Sequence, residues 1–334
     1  MKKIFLVFLF TIIIFNSAQA ISLSDALLEA YKNNLELNAE RENLNVSKED
    51  FKISKSEFLP SLTISGSKSS EDTSKNTDRS GANSAATDIN PKTQSVLIEQ
   101  KLFQGFAGIA GYEKNKIGLN LAQAKFLKKE QEILFKAVES FTGLALAKEK
   151  LEINLSNVNL SERQVETDRS RLERGQITLA DVAQSESSLA ESQAKLIESQ
   201  NEVLTSKLEY EKVIGPLENI DNLNKNYELN FEVPSSLNQA IEISKNNNPD
   251  LIISKLEYEQ SEKDVTIAKS EFSPSATLSL ESSKTDDLSA TVDERDKETV
   301  KATISWPLFK GGKNFAELNR SKSLKNRKKL LFDY

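Results

Sequence analysis

Ser56-Glu57-Phe58-Leu59-Pro60-Ser61 returns later in the chain as Ser270-Glu271-Phe272-Ser273-Pro274-Ser275, shifted by 214 residues. The match runs backward without a gap. Ser22-Leu23 and Ala26 align with Ser236-Leu237 and Ala240, and Asn33-Asn34 with Asn247-Asn248. Forward of the prolines, Leu102-Phe103-Gln104-Gly105 returns as Leu308-Phe309-Lys310-Gly311, now shifted by 206. The 8 residues lost between these anchors fall in polar sequence, which marks a segment of variable length. A period above 200 residues is far too long for a solenoid or propeller unit. The chain is a duplicated half-protein.

Each proline separates two periodicities. Residues 22 to 58 read as one helix, with Leu23, Ala26, Leu27, Ala30, Leu35, Leu37, Leu44, Val46 and Phe51 spaced loosely at three and four. Ser24 is a candidate N-cap. Pro60 and Pro274 end their helices, because proline lacks an N–H and disfavours helical geometry in the residue before it. The period then becomes two. Leu62 and Ile64 alternate with Thr63 and Ser65, and Val96, Ile98 and Leu102 with Ser95, Glu99 and Lys101. In the second copy Ala276, Leu278 and Leu280 form one such face, and Val300, Ala302, Ile304 and Trp306 the other. The tracts Ser69 to Lys92 and Ser282 to Lys297 have almost nothing to bury and read as solvated loops. Each copy is therefore expected to give two amphipathic strands, entered at Pro60 or Pro274 and left at Gly105 or Gly311.

Between Gly105 and Gly215 the period is seven. Ala137, Leu144, Leu151, Val158, Val165 and Leu172 form one series, and Val182, Leu189, Leu196 and Val203 another, with Ala183, Ala190, Ile197 and Leu204 beside them. These are coiled-coil seams broken by one turn, Arg174-Gly175-Gln176-Ile177-Thr178, with Gly175 as its left-handed residue. An arm from Phe106 to Arg174 would reach roughly 100 Å at helical rise.

The N-terminus carries an export signal: Lys2-Lys3, an apolar run from Ile4 to Phe15, and an Ala18-Gln19-Ala20 cleavage site. A membrane anchor is the rival, but the run is shorter than the ~20 residues a spanning helix needs. Cleavage after Ala20 leaves 42 Lys and Arg against 50 Asp and Glu, a charge of −8 that argues against nucleic acid as a partner. The organisation expected is a signal peptide over residues 1–20, a first repeat over 21–215, a linker over 216–235 and a second repeat over 236–334. A short strand or a short helix is open for Tyr227 to Val233.

The pattern demands an assembly. Two strands per copy give four per chain, and four strands cannot close. Open strand edges do not survive in hydrocarbon, where each unpaired backbone group costs several kcal/mol. Three chains would pool twelve strands, within the range of outer-membrane barrels. Leu62, Ile64, Val96, Ile98, Leu278, Val300, Ile304 and Trp306 are the expected membrane-facing residues, with Trp306 suited to an aromatic girdle. A soluble sandwich edge is the bland reading of the strands, and an isolated two-stranded coil that of the heptads. Neither accounts for the duplication.

The signal, the helices ending in Ser-Glu-Phe-x-Pro-Ser, the strands ending in Leu-Phe-x-Gly, the turn from Gly175 to Asp181-Val182, and Ser236-Leu237 with Asn248-Pro249-Asp250-Leu251 carry a resemblance. In that order the chain resembles the TolC-like outer-membrane efflux and secretion proteins. The resemblance implies a mostly α fold with a small β part. Duplicated helical hairpins would form a trimeric α-barrel in the periplasm, and two strands per repeat a twelve-stranded barrel in the outer membrane. It also implies a homotrimer that meets a periplasmic adaptor (membrane fusion) protein and, through it, an inner-membrane pump, either an RND transporter or an ABC ATPase. The adaptor would meet the hairpin tip at Arg174, Gly175, Gln176 and Ile177, and Asp181 would stand at the periplasmic entrance. No cofactor is implied.

By the same offset a second tip is expected near residue 381, beyond Tyr334, so the second repeat reads as incomplete and the sequence as partial, with a truncated gene product as the alternative. A periplasmic adaptor, which also carries a long hairpin, is the alternative function; the duplicated strand units argue against it. An envelope hydrolase is a third class. With no His and no Cys, the common general base, thiol nucleophile and thiolate metal ligand are missing, and the chain reads as no enzyme.

Overall fold

The computed structural model of the chain describes residues 21–74, 76–77, 80–81, 83–84, 87–217, 219–223, 234–289 and 292–333. The export signal and the segment Tyr227 to Val233 lie outside them. The described residues fall into two compact units: 21–39 with 129–223, and 40–128 with 234–333. These units do not follow the repeats.

Residues 22 to 58 are not the single helix that their spacing suggests. α1 (Leu23–Asn33) and α2 (Leu35–Ser56) are separated at Asn34, whose backbone is extended at φ −61°, ψ 124°. The Asn34 side chain explains the break. Its Oδ1 accepts from the backbone N–H groups of Glu36 at 3.0 Å and Leu37 at 3.1 Å, and its Nδ2 donates to the Val213 carbonyl at 2.9 Å. One amide thus caps the start of α2 and satisfies a carbonyl at the end of another helix. The true N-cap of α1 is Ser22, not Ser24, and Asp25 completes a capping box with it.

The first unit also holds the coiled-coil hairpin. α3 (Ala107–Glu173) contributes from Lys129 onward and packs against α4 (Leu179–Val213). Leu23, Ala26 and Ala30 of α1 bury against Ala137, Phe141 and Leu144 of α3 and Tyr210 and Ile214 at the end of α4. Each fully buried Leu or Phe contributes roughly 1.5–3 kcal/mol here. Leu217 and Leu223 close this core, and a 3-10 turn at Ile220–Asn222 sits between them. The stretch read as the start of a linker is therefore packed sequence.

In the second unit, β1 (Ser61–Lys68) pairs with β6 (Lys92–Gln104), β6 with β7 (Ser275–Ser289), and β7 with β8 (Val292–Ser305), all antiparallel. The registers obey the sequence offsets. Ser61 lies opposite Glu99 and Ile64 opposite Val96; 214 and 206 residues later, Ser275 lies opposite Ser305 and Leu278 opposite Ala302. The duplication is structural as well as textual. The polar tracts, expected as loops, carry strand instead. β2 (Glu71–Thr73) pairs with β5 (Thr87–Ile89), and β3 (Asn76–Thr77) with β4 (Asn83–Ser84). The tract from Ser282 belongs to β7 and β8, tied by a Lys284–Glu294 ion pair. A strand needs backbone partners, which polar residues also supply.

Four helical segments complete this unit: α2 from Glu40, α3 up to Lys128, α6 (Pro249–Ser270) and α7 (Lys313–Asp333), with the short α5 (Leu237–Asn247) ahead of α6. Phe51 of α2 meets Tyr112 of α3 at 5.2 Å between ring centroids. Lys114 of α3 pairs with Asp264 of α6 at 2.6 Å, and Lys325 of α7 with Glu262 of α6 at 2.8 Å. The order across the layer is α2, α3, α6, α7. Asn248 repeats the role of Asn34, accepting from the Asp250 N–H at 2.8 Å as the N-cap of α6.

Candidate functional site: hairpin tip and amphipathic sheet

At the tip the sequence dictates a sharp reversal. Gly175 takes φ +67°, a left-handed conformation that costs other residues roughly 1–2 kcal/mol. Its N–H donates to the Leu172 carbonyl at 2.8 Å, and the Gln176 N–H to Arg171 at 2.9 Å. That pair of bonds is a Schellman closure, satisfying carbonyls that the end of α3 leaves open. Arg174, Gly175 and Gln176 are exposed and Ile177 half-buried. Arg174 turns back, its Nε donating to the Ser170 carbonyl at 3.1 Å.

Thr178 then caps α4. Asp181 Oδ2 accepts from the Thr178 N–H at 2.8 Å and hydroxyl at 2.7 Å, while its own N–H donates to Thr178 Oγ1 at 3.4 Å. These bonds hold the exposed Asp181 carboxyl below the usual carboxylate range, with the Arg171 charge adding a little. Asp181 thus has a local capping task that the sequence reading did not give it.

The seam behind the tip confirms one heptad series and corrects its companion. Ala137, Leu144, Val158, Val165 and Val182 are buried, whereas Ala183, Ala190, Ile197 and Leu204 are exposed. Their expected place is taken by Ser185, Ser192, Ser199 and Ser206, also seven apart. Ser199 is only 2% exposed and bonds the Leu196 carbonyl of its own turn at 2.9 Å. Ser192 meets Ser161 of α3 across the seam at 3.0 Å. Such serines carry no hydropathy signal; only their interval of seven marks them. Asp168 is another seam residue that the reading missed, buried and bonded by Gln164 at 2.9 Å.

The second element is the sheet. Leu62 lies opposite Ile98, Ile98 opposite Leu280, and Leu280 opposite Val300. Cross-strand partners share a face, so an apolar row crosses all four strands. Ile64 with Val96, Leu278 with Ala302, and Ala276 with Ile304 extend it. Leu62, Ile64, Val300 and Ile304 are 64%, 76%, 73% and 78% exposed in the single chain. The opposite face carries Thr63, Ser65, Ser95, Thr277, Ser279 and Thr303 together with Leu97, Glu99, Glu281 and Lys301. Leu102 departs from the expected face, since a bulge between Lys101 and Phe103 makes it the extra residue. Trp306 follows β8, its Nε1 donating to the Phe272 carbonyl at 3.0 Å.

The repeated Ser-Glu-Phe-x-Pro-Ser junction explains itself residue by residue. Ser56 and Ser270 return their hydroxyls to the carbonyls of Ile53 and Ile267, at 2.7 and 2.6 Å. Glu57 pairs with Lys101 at 2.8 Å, and Glu271 with Lys310 at 2.7 Å, tying each helix end to the far end of its hairpin. Phe58 meets Tyr112 edge-on, and Phe272 meets Phe315. Pro60 and Pro274 stand immediately before β1 and β7. Gly105 and Gly311 take φ +59° and +61° at the exits. Gly105 also has no room: a Cβ would lie 2.5 Å from Ser273 Cβ.

Among the described residues no helix is long and apolar enough to cross a membrane, and no group of three or more His, Cys, Asp or Glu could hold a metal ion. The family model described as "Outer membrane efflux protein" matches residues 26–215. The chain is similar to the outer membrane efflux protein BepC of Brucella suis, with 24% identity covering 93% of the chain and 66% of that relative. It is also similar to the alkaline protease secretion protein AprF of Pseudomonas aeruginosa, with 23% identity covering 92% and 65%. It spans about two thirds of the length of these relatives. Among solved structures, the CmeC outer membrane channel of Campylobacter jejuni superposes with a TM-score of 0.78 at 16% identity, covering 93% of this chain and 66% of that one. The fold is that of the TolC-like channels.

Proposed function

The chain belongs to the outer membrane efflux protein family, and from that membership we propose that it is the outer-membrane exit duct of a tripartite efflux pump or a type I secretion system. Three copies pool their four-stranded sheets into a twelve-stranded barrel, and their helices line a passage through the periplasm. The cargo, drug or protein, passes without chemistry. The observation that carries this reading is the apolar row from Leu62 to Val300, on a sheet whose edge strands β1 and β8 each pair on one side only among the described residues. That face suits lipid, and those edges require further strands before hydrocarbon can surround them.

In this reading Leu62, Ile64, Val96, Ile98, Leu278, Val300 and Ile304 face lipid, and Trp306 sits at the membrane boundary. Arg174, Gly175, Gln176 and Ile177 meet a periplasmic adaptor, which connects the duct to an inner-membrane RND or ABC pump. Asp181 stands at the periplasmic entrance. The test is expression, with the export signal, in a strain lacking its own conduit. Density-gradient fractionation should place the protein with the outer membrane, as a trimer resistant to mild detergent, and export of a drug or a secreted protease should return. Recovery as a soluble periplasmic protein would overturn the reading.

A further inference from the structure

The apolar face of the sheet changes character at one level. Under the offsets of 214 for β1 to β7 and 206 for β6 to β8, the two hairpins align level by level. Leu62, Ile98 and Ile304 share the first level with Ala276, and Ile64, Val96 and Leu278 the second with Ala302. Gly66, Gln94, Leu280 and Val300 follow. The next level is Lys68, Lys92, Ser282 and Glu298, and it holds no apolar residue. Trp306 lies eight residues from Glu298 along the chain. At ~3.3 Å per residue and a strand tilt of about 40°, that span rises roughly 20 Å, close to the ~25 Å apolar band of a membrane barrel. Lys68 and Lys92 thus stand at the far border of that band.

The two lysines are an anomaly. They lie directly opposite each other on β1 and β6, both exposed, and among the described residues neither forms an ion pair. Like charges in that position destabilise a sheet. Asp286 lies opposite Lys92 on its other side but, among the described residues, makes no ion pair with it, and Lys284 is engaged by Glu294. The fold does not require the lysine pair, because the same level of the second repeat has Ser282 opposite Glu298. Toward the helices the surface beside the lysines is open and apolar. A Cβ at Gly66 would meet only the Thr93 carbonyl, at 3.9 Å, which leaves a notch between Ile64 and Lys68. A shallow groove of about 220 Å³ runs beside it over Val96, Ile98, Leu280 and Val300.

We propose that Lys68 and Lys92 clasp the phosphate of an anionic lipid headgroup, whose acyl chains lie in the notch at Gly66 and the groove over Val96 and Leu280. Two ammonium groups carried about 5 Å apart at the backbone suit one phosphate between them. The oxyanion accepts from several N–H donors at once and relieves the repulsion that the bare pair carries. Lysine stems follow apolar surface and lift their charge to its edge. Charge complementarity selects the occupant, since a neutral headgroup leaves the two cations unbalanced. The inference rests on the duct reading for the membrane around the sheet, and adds to it one kind of lipid and the residues that hold it.

Lipid retention by the protein purified in neutral detergent tests this, with phosphatidylglycerol and phosphatidylcholine as probes and native mass spectrometry as the readout. Phosphatidylglycerol should be retained over phosphatidylcholine, and Lys68→Gln or Lys92→Gln should each lower that preference about fivefold. The Lys68→Arg, Lys92→Arg variant should keep it, and rising salt should weaken it. Equal retention of both lipids, or a preference that survives the double Lys→Gln change, would overturn the inference and leave the duct reading standing. Full competition by inorganic phosphate would make the pair a site for a free ion and also overturn it. So would a lower oligomer fraction of the Lys→Gln variants in detergent alone, which would assign the lysines to a contact between copies. Because the bare pair repels, those variants should unfold no earlier than the parent in lipid-free detergent. Phosphatidylglycerol should then raise the melting temperature of the parent alone; an equal rise in the variants would sink the proposal. Recovery of the chain as a soluble periplasmic protein would remove the membrane, and with it both readings.

Discussion

Phe106 and Gly312 stand at equivalent points of the two repeats and share a left-handed backbone, at φ 69° and 81°. One repeat tolerates a strained phenylalanine where the other uses glycine. The Phe106 ring meets Phe103 edge-on at 5.5 Å, and that contact offsets part of the strain. A Cβ at Gly312 meets nothing within 4 Å, so only its backbone resists substitution. Gly312→Val should therefore destabilise by about 1–2 kcal/mol, whereas Phe106→Gly should change stability by less than about 1 kcal/mol. Thermal unfolding of both variants checks the contrast.

Gly105→Ala should cost more than Gly175→Ala. Both positions are left-handed, but Gly175 has open space around it while Gly105 presses on Ser273 Cβ and the Ser270 carbonyl. Loss of trimer is expected for Gly105→Ala at a temperature where Gly175→Ala still assembles. If both assemble alike, the close approach at the strand exit has no energetic weight.

On the proposed duct reading, the tip separates docking from folding. Gly175→Val strains the Schellman turn by about 1–2 kcal/mol without touching the sheet. Binding of the adaptor, measured by cross-linking or co-purification, should fall more than the yield of trimer. Equal loss of both would make the turn a structural element alone.

Acid should loosen the start of α4 before it unfolds the hairpin. The folded Asp181 pKa is lowered by its bonds to Thr178. Its stabilisation is therefore present above the ordinary carboxylate value of about 3.9 and is lost as pH falls through the folded value. Asp181→Asn should abolish that part of the pH dependence, and Thr178→Ala should cost about 1 kcal/mol at neutral pH. Amide exchange at Asp181 and Val182, followed from pH 7 downward, reads both effects.

The serine seam makes an opposite pair of predictions. Ser199→Ala should be within about 0.5 kcal/mol of neutral, because the hydroxyl bonds only a carbonyl of its own helix. Ser199→Leu should destabilise by about 1–3 kcal/mol, since the larger side chain has no room between α3 and α4. Thermal melts of the two variants decide it.

The periodicities legible in the sequence were those set by large apolar side chains. The seam from Ala137 to Val165, the strands around Ile64 and Leu278, and the turn at Gly175 follow from hydropathy and from glycine's backbone freedom. Features set by hydrogen bonds were not legible. Asn34 looks like any polar residue in a helix until its amide is seen bonding Leu37 and Val213. The polar tract from Ser282 looks like loop, because pairing with β8 uses the backbone and leaves no mark on side-chain type. Asp181 was expected at a periplasmic entrance, and its bond to Thr178, three residues away, left no mark in the hydropathy. The repeat itself offered the missing signal: Asn34 and Asn248 align, and Pro249 after the second announces a helix start.

One face of the sheet is rich in short hydroxyls, Thr63, Ser65, Ser95, Thr277, Ser279 and Thr303, set among Leu97, Glu99, Glu281 and Lys301. A serine or threonine hydroxyl both donates and accepts, and can do so with water in any orientation. In the proposed duct this face lines the passage. Its hydroxyls hold a film of exchangeable water, while Glu99, Glu281 and Lys301 set fixed charges of both signs beside it, so the wall is wet throughout and not uniform toward a charged cargo.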